Sequence, residues 1–89
     1  MINYRKAERI VRGFSNHRRI QILELLSNYP ELSVLEVSNR LKINFKTASD
    51  HIRRLAIPGL IIKRNQGPNV RHKLSPIGVV ILKFLRTLE

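Results

Sequence analysis

Two helices have to meet across two residues in the middle of this chain, and that requirement narrows the fold more than any other feature. Ser33-Val34-Leu35-Glu36 has the arrangement of a capping box, in which a hydroxyl and a carboxylate satisfy free backbone donors reciprocally, so a helix starts at Ser33 and ends near Leu41. Only Lys42 and Ile43 then precede Asn44, itself a good N-cap, and the next helix spans residues 44–56 before Pro58-Gly59-Leu60 closes it. A short helix, a tight turn and a second helix make a helix-turn-helix.

The second helix of that pair is built to be used from outside. At about 100° per residue, Ala48, Ile52 and Leu55 fall on one narrow stripe. Lys46, Asp50 and Arg53 lie opposite, flanked by Thr47, Ser49 and Arg54. A narrow apolar stripe anchors the helix, and a basic outer face of this kind fits a DNA groove.

Charge points the same way. The 89 residues carry a net +11, and a surface of that sign attracts polyanions. The excess is uneven: between Asn44 and Lys73, Lys46, Arg53, Arg54, Lys63, Arg64, Arg71 and Lys73 stand against Asp50 alone. Such one-sided clustering implies nucleic-acid contact rather than ordinary solvated charge.

The remaining elements follow from periodicity and punctuation. Tyr4, Ala7, Ile10, Val11 and Phe14 recur at helical spacing, which predicts a first amphipathic helix from about Ile2 to Gly13, with Gly13 ending it. Ser15 or Asn16 caps a second helix whose wide apolar face, Ile20, Ile22, Leu23, Leu25 and Leu26, makes it the most buried element; Asn28, Tyr29 and Pro30 mark its end. After Pro58-Gly59, Leu60–Asn65 and Val70–Leu74 read as strands around the turn Gln66-Gly67-Pro68-Asn69, a basic hairpin with its wing over residues 61–74. Ser75-Pro76 opens a last helix, Pro76 to Leu88, apolar almost all round. The order is helix, helix, helix-turn-helix, hairpin, helix: a mainly α fold with a small β-hairpin, expected to form one domain over residues 1–89, a length sufficient for a core without staples.

Several classes are set aside by composition. No cysteine is present, which excludes disulfides, thiolate metal sites and a cysteine nucleophile. The most apolar run, Ile77 to Leu82, is far shorter than the roughly 18 residues a membrane span needs. Arg5, Lys6, Glu8, Arg9 and Arg12 interrupt the N-terminus where a signal peptide would be apolar. A cytosolic, nucleoid-associated protein is the expectation. His17, His51 and His72 fall in three different elements without ligand spacing, so no metal and no cofactor are expected. With no nucleophile and base pairing, phosphate-cradling glycine loop or acid pair, neither is an enzyme.

With these residues in view, the chain resembles the winged helix-turn-helix repressors of the arsenic-repressor (ArsR) type, and more loosely the multiple-antibiotic-resistance (MarR) type. Phe14-Ser15-Asn16-His17-Arg18-Arg19-Ile20-Gln21-Ile22-Leu23-Glu24-Leu25-Leu26 is similar to the family's opening pattern. Thr47-Ala48-Ser49-Asp50-His51-Ile52, followed by Leu55 and Gly59-Leu60, is similar to its recognition helix, and Leu74-Ser75-Pro76-Ile77-Gly78 to the segment after the wing. The resemblance implies a DNA-binding dimer with recognition helices in successive major grooves and wings on the flanking backbone. The chain departs from the family's metal sensors, because Ser33 and Leu35 occupy the thiolate positions.

A helix-turn-helix places the N-terminal part of its second helix against base edges, so Lys46, Thr47, Ser49, Asp50 and Arg53 are the candidates for reading sequence. Arg53 or Lys46 suits guanine, Asp50 cytosine and the Thr47 methyl thymine; Asp50 equally suits an intrahelical ion pair with Arg53 or Arg54. Asn44 caps the helix beside backbone donors that suit a phosphate, Phe45 reads as a packing residue, and His51 divides between packing and phosphate contact. Lys63, Arg64, Arg71 and Lys73 suit phosphate or the minor groove. The surplus apolar face of the last helix, Ile77, Val80, Ile81, Phe84, Leu85 and Leu88, with Tyr4 and Val11, predicts a homodimer interface.

The expected function is a sequence-specific double-stranded DNA-binding transcriptional regulator, a repressor by family habit. The competing readings are a winged-helix adaptor for protein or RNA and a nonspecific architectural DNA-binding protein; few aromatics speak against single-strand recognition by stacking.

Overall fold

The structure is a computed structural model and describes all 89 residues. Five helices and one antiparallel hairpin follow in the order α1 (Tyr4–Phe14), α2 (His17–Asn28), α3 (Val34–Leu41), α4 (Phe45–Ala56), β1 (Ile61–Gln66), β2 (Asn69–Leu74) and α5 (Pro76–Arg86). The centre of the core is α2, whose Ile22, Leu23 and Leu26 pack with Val37 of α3, Ala48, Ile52 and Leu55 of α4, Leu60 and Ile61 at the base of the wing, and Leu82 of α5. The apolar stripe of α4 is buried, as its spacing requires.

Caps set most of the boundaries. Asn16 accepts from Arg18 N and Arg19 N to start α2, and Asn44 accepts from Lys46 N and Thr47 N to start α4. The box at α3 is reciprocal, with Glu36 N donating to Ser33 Oγ at 3.1 Å and Ser33 N donating to Glu36 Oε1 at 3.0 Å. Lys42 then takes the left-handed conformation, φ 56°, that reverses the chain between α3 and α4.

The first helix departs from expectation at both ends. Asn3 caps it, so it begins at Tyr4 rather than Ile2, and it runs through Gly13 to Phe14 instead of stopping at the glycine. Gly13 is buried, and a Cβ there would lie 2.6 Å from Pro58 Cγ and 3.1 Å from Leu60 Cδ1. Its role is close approach of α1 to the α4–β1 connection, not termination.

The wing spans residues 61–74 as expected, with β1 starting one residue after Leu60 and both strands running one residue further into the turn. Register runs from Ile61↔Leu74 to Gln66↔Asn69, leaving Gly67-Pro68 as the turn, with Gly67 at φ 61°. An isolated antiparallel bridge ties β2 to the segment before α3: Glu31 N donates to His72 O and His72 N to Leu32 O, both at 2.9 Å. The His72 ring is buried and its Nδ1 lies 2.9 Å from Leu32 O, which assigns Nδ1 as the protonated nitrogen. Burial holds the ring below the ordinary histidine pKa, although the bond to Leu32 opposes the shift.

Ser75 caps α5 at Gly78 N and also donates from its hydroxyl to Gly59 O, joining the wing base to the last helix. That helix ends at Arg86, short of Leu88. Its apolar residues divide: Leu82 is buried, and Ile81 and Leu85 pack against the core. Ile77, Val80, Phe84 and Leu88 are exposed.

Candidate nucleic-acid interface

Residues 44–56 present one face to the core and the other to solvent. Ala48, Ile52 and Leu55 are at most 1 % exposed, whereas Asn44, Lys46, Thr47, Ser49, Arg53 and Arg54 are exposed and Asp50 is half-buried. The six residues read as base-facing or flanking therefore share one accessible surface with the Asn44 cap at its leading end. Phe45, the first residue of α4, differs from its reading as a packing residue: it is 54 % exposed.

Asp50 is committed within its own helix. One carboxylate oxygen accepts from Arg53 Nη2 at 2.7 Å and the other from Arg54 Nε at 2.9 Å. These bonds hold its carboxyl below the usual aspartate range. Of the two roles open to Asp50 in the sequence, the free structure contains the ion pair.

His51 is half-buried on the flank of α4. Burial, followed by the nearby Arg19 charge, pushes its pKa below the ordinary histidine value, so the ring is neutral at pH 7.

On the wing, the four basic residues separate into two pairs. Arg64 and Arg71 face each other across the strands and are both engaged. Arg64 Nη2 lies 3.0 Å from Glu31 Oε2; Arg71 Nη1 lies 3.0 Å from Glu36 Oε1 and donates to Glu31 O at 3.2 Å. The Glu36 carboxyl is held below its ordinary value, first by the Ser33 backbone bond. Lys63 and Lys73 are exposed and have no carboxylate partner within 4.0 Å. The wing is thus clamped to the start of α3 by arginines and offers lysines to solvent.

Glu31 and Glu36 as wing anchors, and the Leu32–His72 bridge, are features that sequence reading misses. They join positions separated by 33 to 40 residues, and no local pattern carries that information.

A metal does not fit the places where the resemblance would put one. Ser33 Oγ is consumed by the α3 cap, Leu35 carries no donor, and no three His, Cys, Asp or Glu side chains converge. No helix is long and apolar enough to cross a membrane.

A helix-turn-helix with an outward basic second helix, followed by a hairpin tied back to the same unit, defines a winged helix-turn-helix protein. The family described as "Bacterial regulatory protein, arsR family" matches residues 16–63, the span from the α2 cap through the start of the wing. The chain belongs to the ArsR family of bacterial regulatory proteins. It is similar to the transcriptional activator HlyU of Vibrio cholerae, 37 % identical over 73 residues, which are 82 % of this chain and 67 % of that protein. A solved structure of the same HlyU superimposes with a TM-score of 0.82 at 34 % identity, covering 97 % of this chain and 94 % of that one. A Mycobacterium bovis homodimeric winged helix-turn-helix DNA-binding domain gives a TM-score of 0.85 at 24 % identity, covering 96 % and 79 %. A MarR family transcription regulator gives 0.78 at 22 %, covering 94 % and 58 %. The last two share the fold. The chain is accordingly a transcriptional regulator of the ArsR and HlyU type and not an enzyme.

Proposed function

We propose that this chain works as a homodimeric, sequence-specific double-stranded DNA-binding regulator. In this reading α4 enters the major groove, and Lys46, Thr47, Ser49, Asp50 and Arg53 meet base edges while Asn44, His51 and Arg54 lie near the backbone. Lys63 and Lys73 are the first wing contacts to phosphate or the minor groove, and Arg64 and Arg71 reach it by exchanging Glu31 and Glu36 for phosphate oxygens. One unit, residues 1–89, carries both DNA reading and dimerisation. The observation that carries the proposal is the polarity of α4, whose anchor residues are fully enclosed while a varied polar and basic set is exposed. A purely architectural protein needs positive charge but not that variety.

The dimer rests on Ile77, Val80 and Phe84, an exposed apolar row on α5, continued by exposed Leu88 just past the helix end and joined by exposed Tyr4 and Val11 on α1. Ile81 and Leu85 belong partly to the protomer's own core and support that row from beneath. The homodimeric state of the M. bovis domain, which shares the fold, favours this assignment. Metal-independence is part of the proposal, as is a place among nucleoid DNA.

For direction we keep repression, the simplest consequence of a dimer seated on a promoter, although the V. cholerae relative is called an activator. A promoter fusion carrying the bound sequence tests direction: reporter output falling when the protein is supplied supports repression, and output rising assigns activation. Binding tests the reading itself. A radiolabelled operator duplex retained against excess random DNA supports it, and equal competition by both makes the protein an architectural one.

A further inference from the structure

Two buried side-chain nitrogens in this chain have no hydrogen-bond partner, Arg19 Nε and His51 Nδ1, and they lie on elements packed against each other, α2 and α4. A buried polar nitrogen without a partner is costly and uncommon, so two together call for an explanation; Arg19 Nε is a donor outright, and His51 Nδ1 is one in the tautomer that carries its proton there. The groups around them are nearly all positive. The Arg19 guanidinium feels Arg54 and Asp50, and the His51 ring feels Arg19, Asp50, Arg54 and Arg18. Asp50 is the only acid of this group, and both of its oxygens are taken by Arg53 and Arg54. Arg18 donates to Gln21 and has no carboxylate partner.

The node therefore has donors and positive charge in excess, and the protein supplies no acceptor for them. What satisfies such a node is a compact oxyanion with several lone pairs, able to accept from a guanidinium and an imidazole at once. We propose that Arg18, Arg19 and His51 form a seat for one backbone phosphate of bound DNA, where the start of α2 packs beside α4. The inference rests on the DNA-binding reading and extends it to α2, where the sequence pattern marks no DNA contact. Arg19 and His51 are each half-buried, so both side chains reach the surface, and the seat requires their torsions to turn the shielded nitrogens towards it. The hydrogen bonds missing in the free protein are made in the complex, and binding recovers what the free fold lacks.

Equilibrium binding of the full chain to an operator duplex and to a random duplex, each across a salt series, tests the seat. Loss of one phosphate contact flattens the dependence of log K on log salt by about 0.9. Arg18→Gln and Arg19→Gln are each expected to flatten it by that amount and to weaken both duplexes equally. Arg5→Gln, an equal loss of charge on α1, is expected to leave the slope as it is. His51→Ala is expected to weaken both duplexes equally through loss of one hydrogen bond to the phosphate. Thermal melting of each variant separates a folding defect from a binding defect, and Arg19→Lys, which keeps charge but loses the planar fork, is expected to restore the slope but only part of the affinity. Wild-type slopes in Arg18→Gln and Arg19→Gln overturn the seat while leaving DNA binding intact; a wild-type chain that binds no duplex overturns the functional reading itself. Inorganic phosphate raising the melting temperature of the wild type but not of Arg19→Gln, with DNA slopes equal, assigns the seat to a free phosphate and overturns the DNA assignment.

Discussion

Asp50 and Arg53 stand one helical turn apart on α4 and are joined by a 2.7 Å ion pair, with Arg54 on the second carboxylate oxygen at 2.9 Å. The single acid of the recognition helix thus restrains two of its arginines. In the proposed complex this arrangement orients the Arg53 fork for a guanine edge while lowering the attraction of the helix for arbitrary phosphate. Asp50→Ala is expected to raise affinity for random DNA and to steepen its salt dependence, while reducing preference for the operator. Arg53→Ala is expected to cost about 1 to 3 kcal/mol on the operator and to relax base choice at one position, whereas Arg71→Ala weakens all sequences alike. Fluorescence anisotropy on matched operator and random duplexes reads these differences, and identical losses on both duplexes for Arg53→Ala and Arg71→Ala contradict the division of roles.

The base of the wing lies directly against Gly78 of α5. A Cβ at this buried position would stand 2.1 Å from Leu60 O, a backbone atom that has no room to yield, and Gly78 N is held by Ser75 Oγ. Gly78→Ala is expected to destabilise the chain by about 1 to 3 kcal/mol through overpacking. Thermal melting then shifts down by roughly 4 to 8 °C per kcal/mol for a domain of this size. An unchanged melting temperature contradicts the close approach of α5 to the wing base.

Stability should also fall in acid, through His72. Its folded pKa lies below the unfolded value of about 6.5, because burial disfavours the charged ring. The neutral ring's contribution is therefore fully present above about pH 6.5 and is lost as pH drops through the lowered folded value. Urea midpoints at pH 8 and pH 5 measure this, and His72→Phe is expected to lower the midpoint at pH 8 and to reduce the difference between the two. A wild-type midpoint independent of pH over that range contradicts the assignment.

Much of the architecture is legible in the sequence where the determinants are local. Ser33 with Glu36, Asn44, and Ser75-Pro76 fix helix starts within a few residues, and the stripe Ala48, Ile52, Leu55 fixes which side of α4 faces inward. What local pattern cannot carry is partnership across the chain. Gly13 reads as a helix stop and is a packing glycine, because its meaning depends on Pro58 and Leu60. Arg64 and Arg71 read as free phosphate ligands and are held by Glu31 and Glu36. At the candidate interface, the exposed set on α4 is legible, while the buried unpaired nitrogens of Arg19 and His51 emerge only when α2 and α4 are brought together.

The apolar row on α5 gives a prediction that needs no DNA. Phe84→Asp places a charge in the exposed patch without touching the buried Leu82, so the protomer fold is expected to survive while association is lost. Sedimentation equilibrium at micromolar concentration is expected to give a dimer for the wild type and a monomer for the variant. A monomeric wild type contradicts the dimer.

Selection of bound sequences from random duplex DNA at near-physiological salt tests the central claim most directly, because salt suppresses the nonspecific attraction of a chain with net charge +11. The expected result is a palindromic motif whose half-sites lie about one helical turn apart, the spacing of two recognition helices on one face of the duplex. A bound pool with no enriched motif contradicts sequence-specific regulation by this chain.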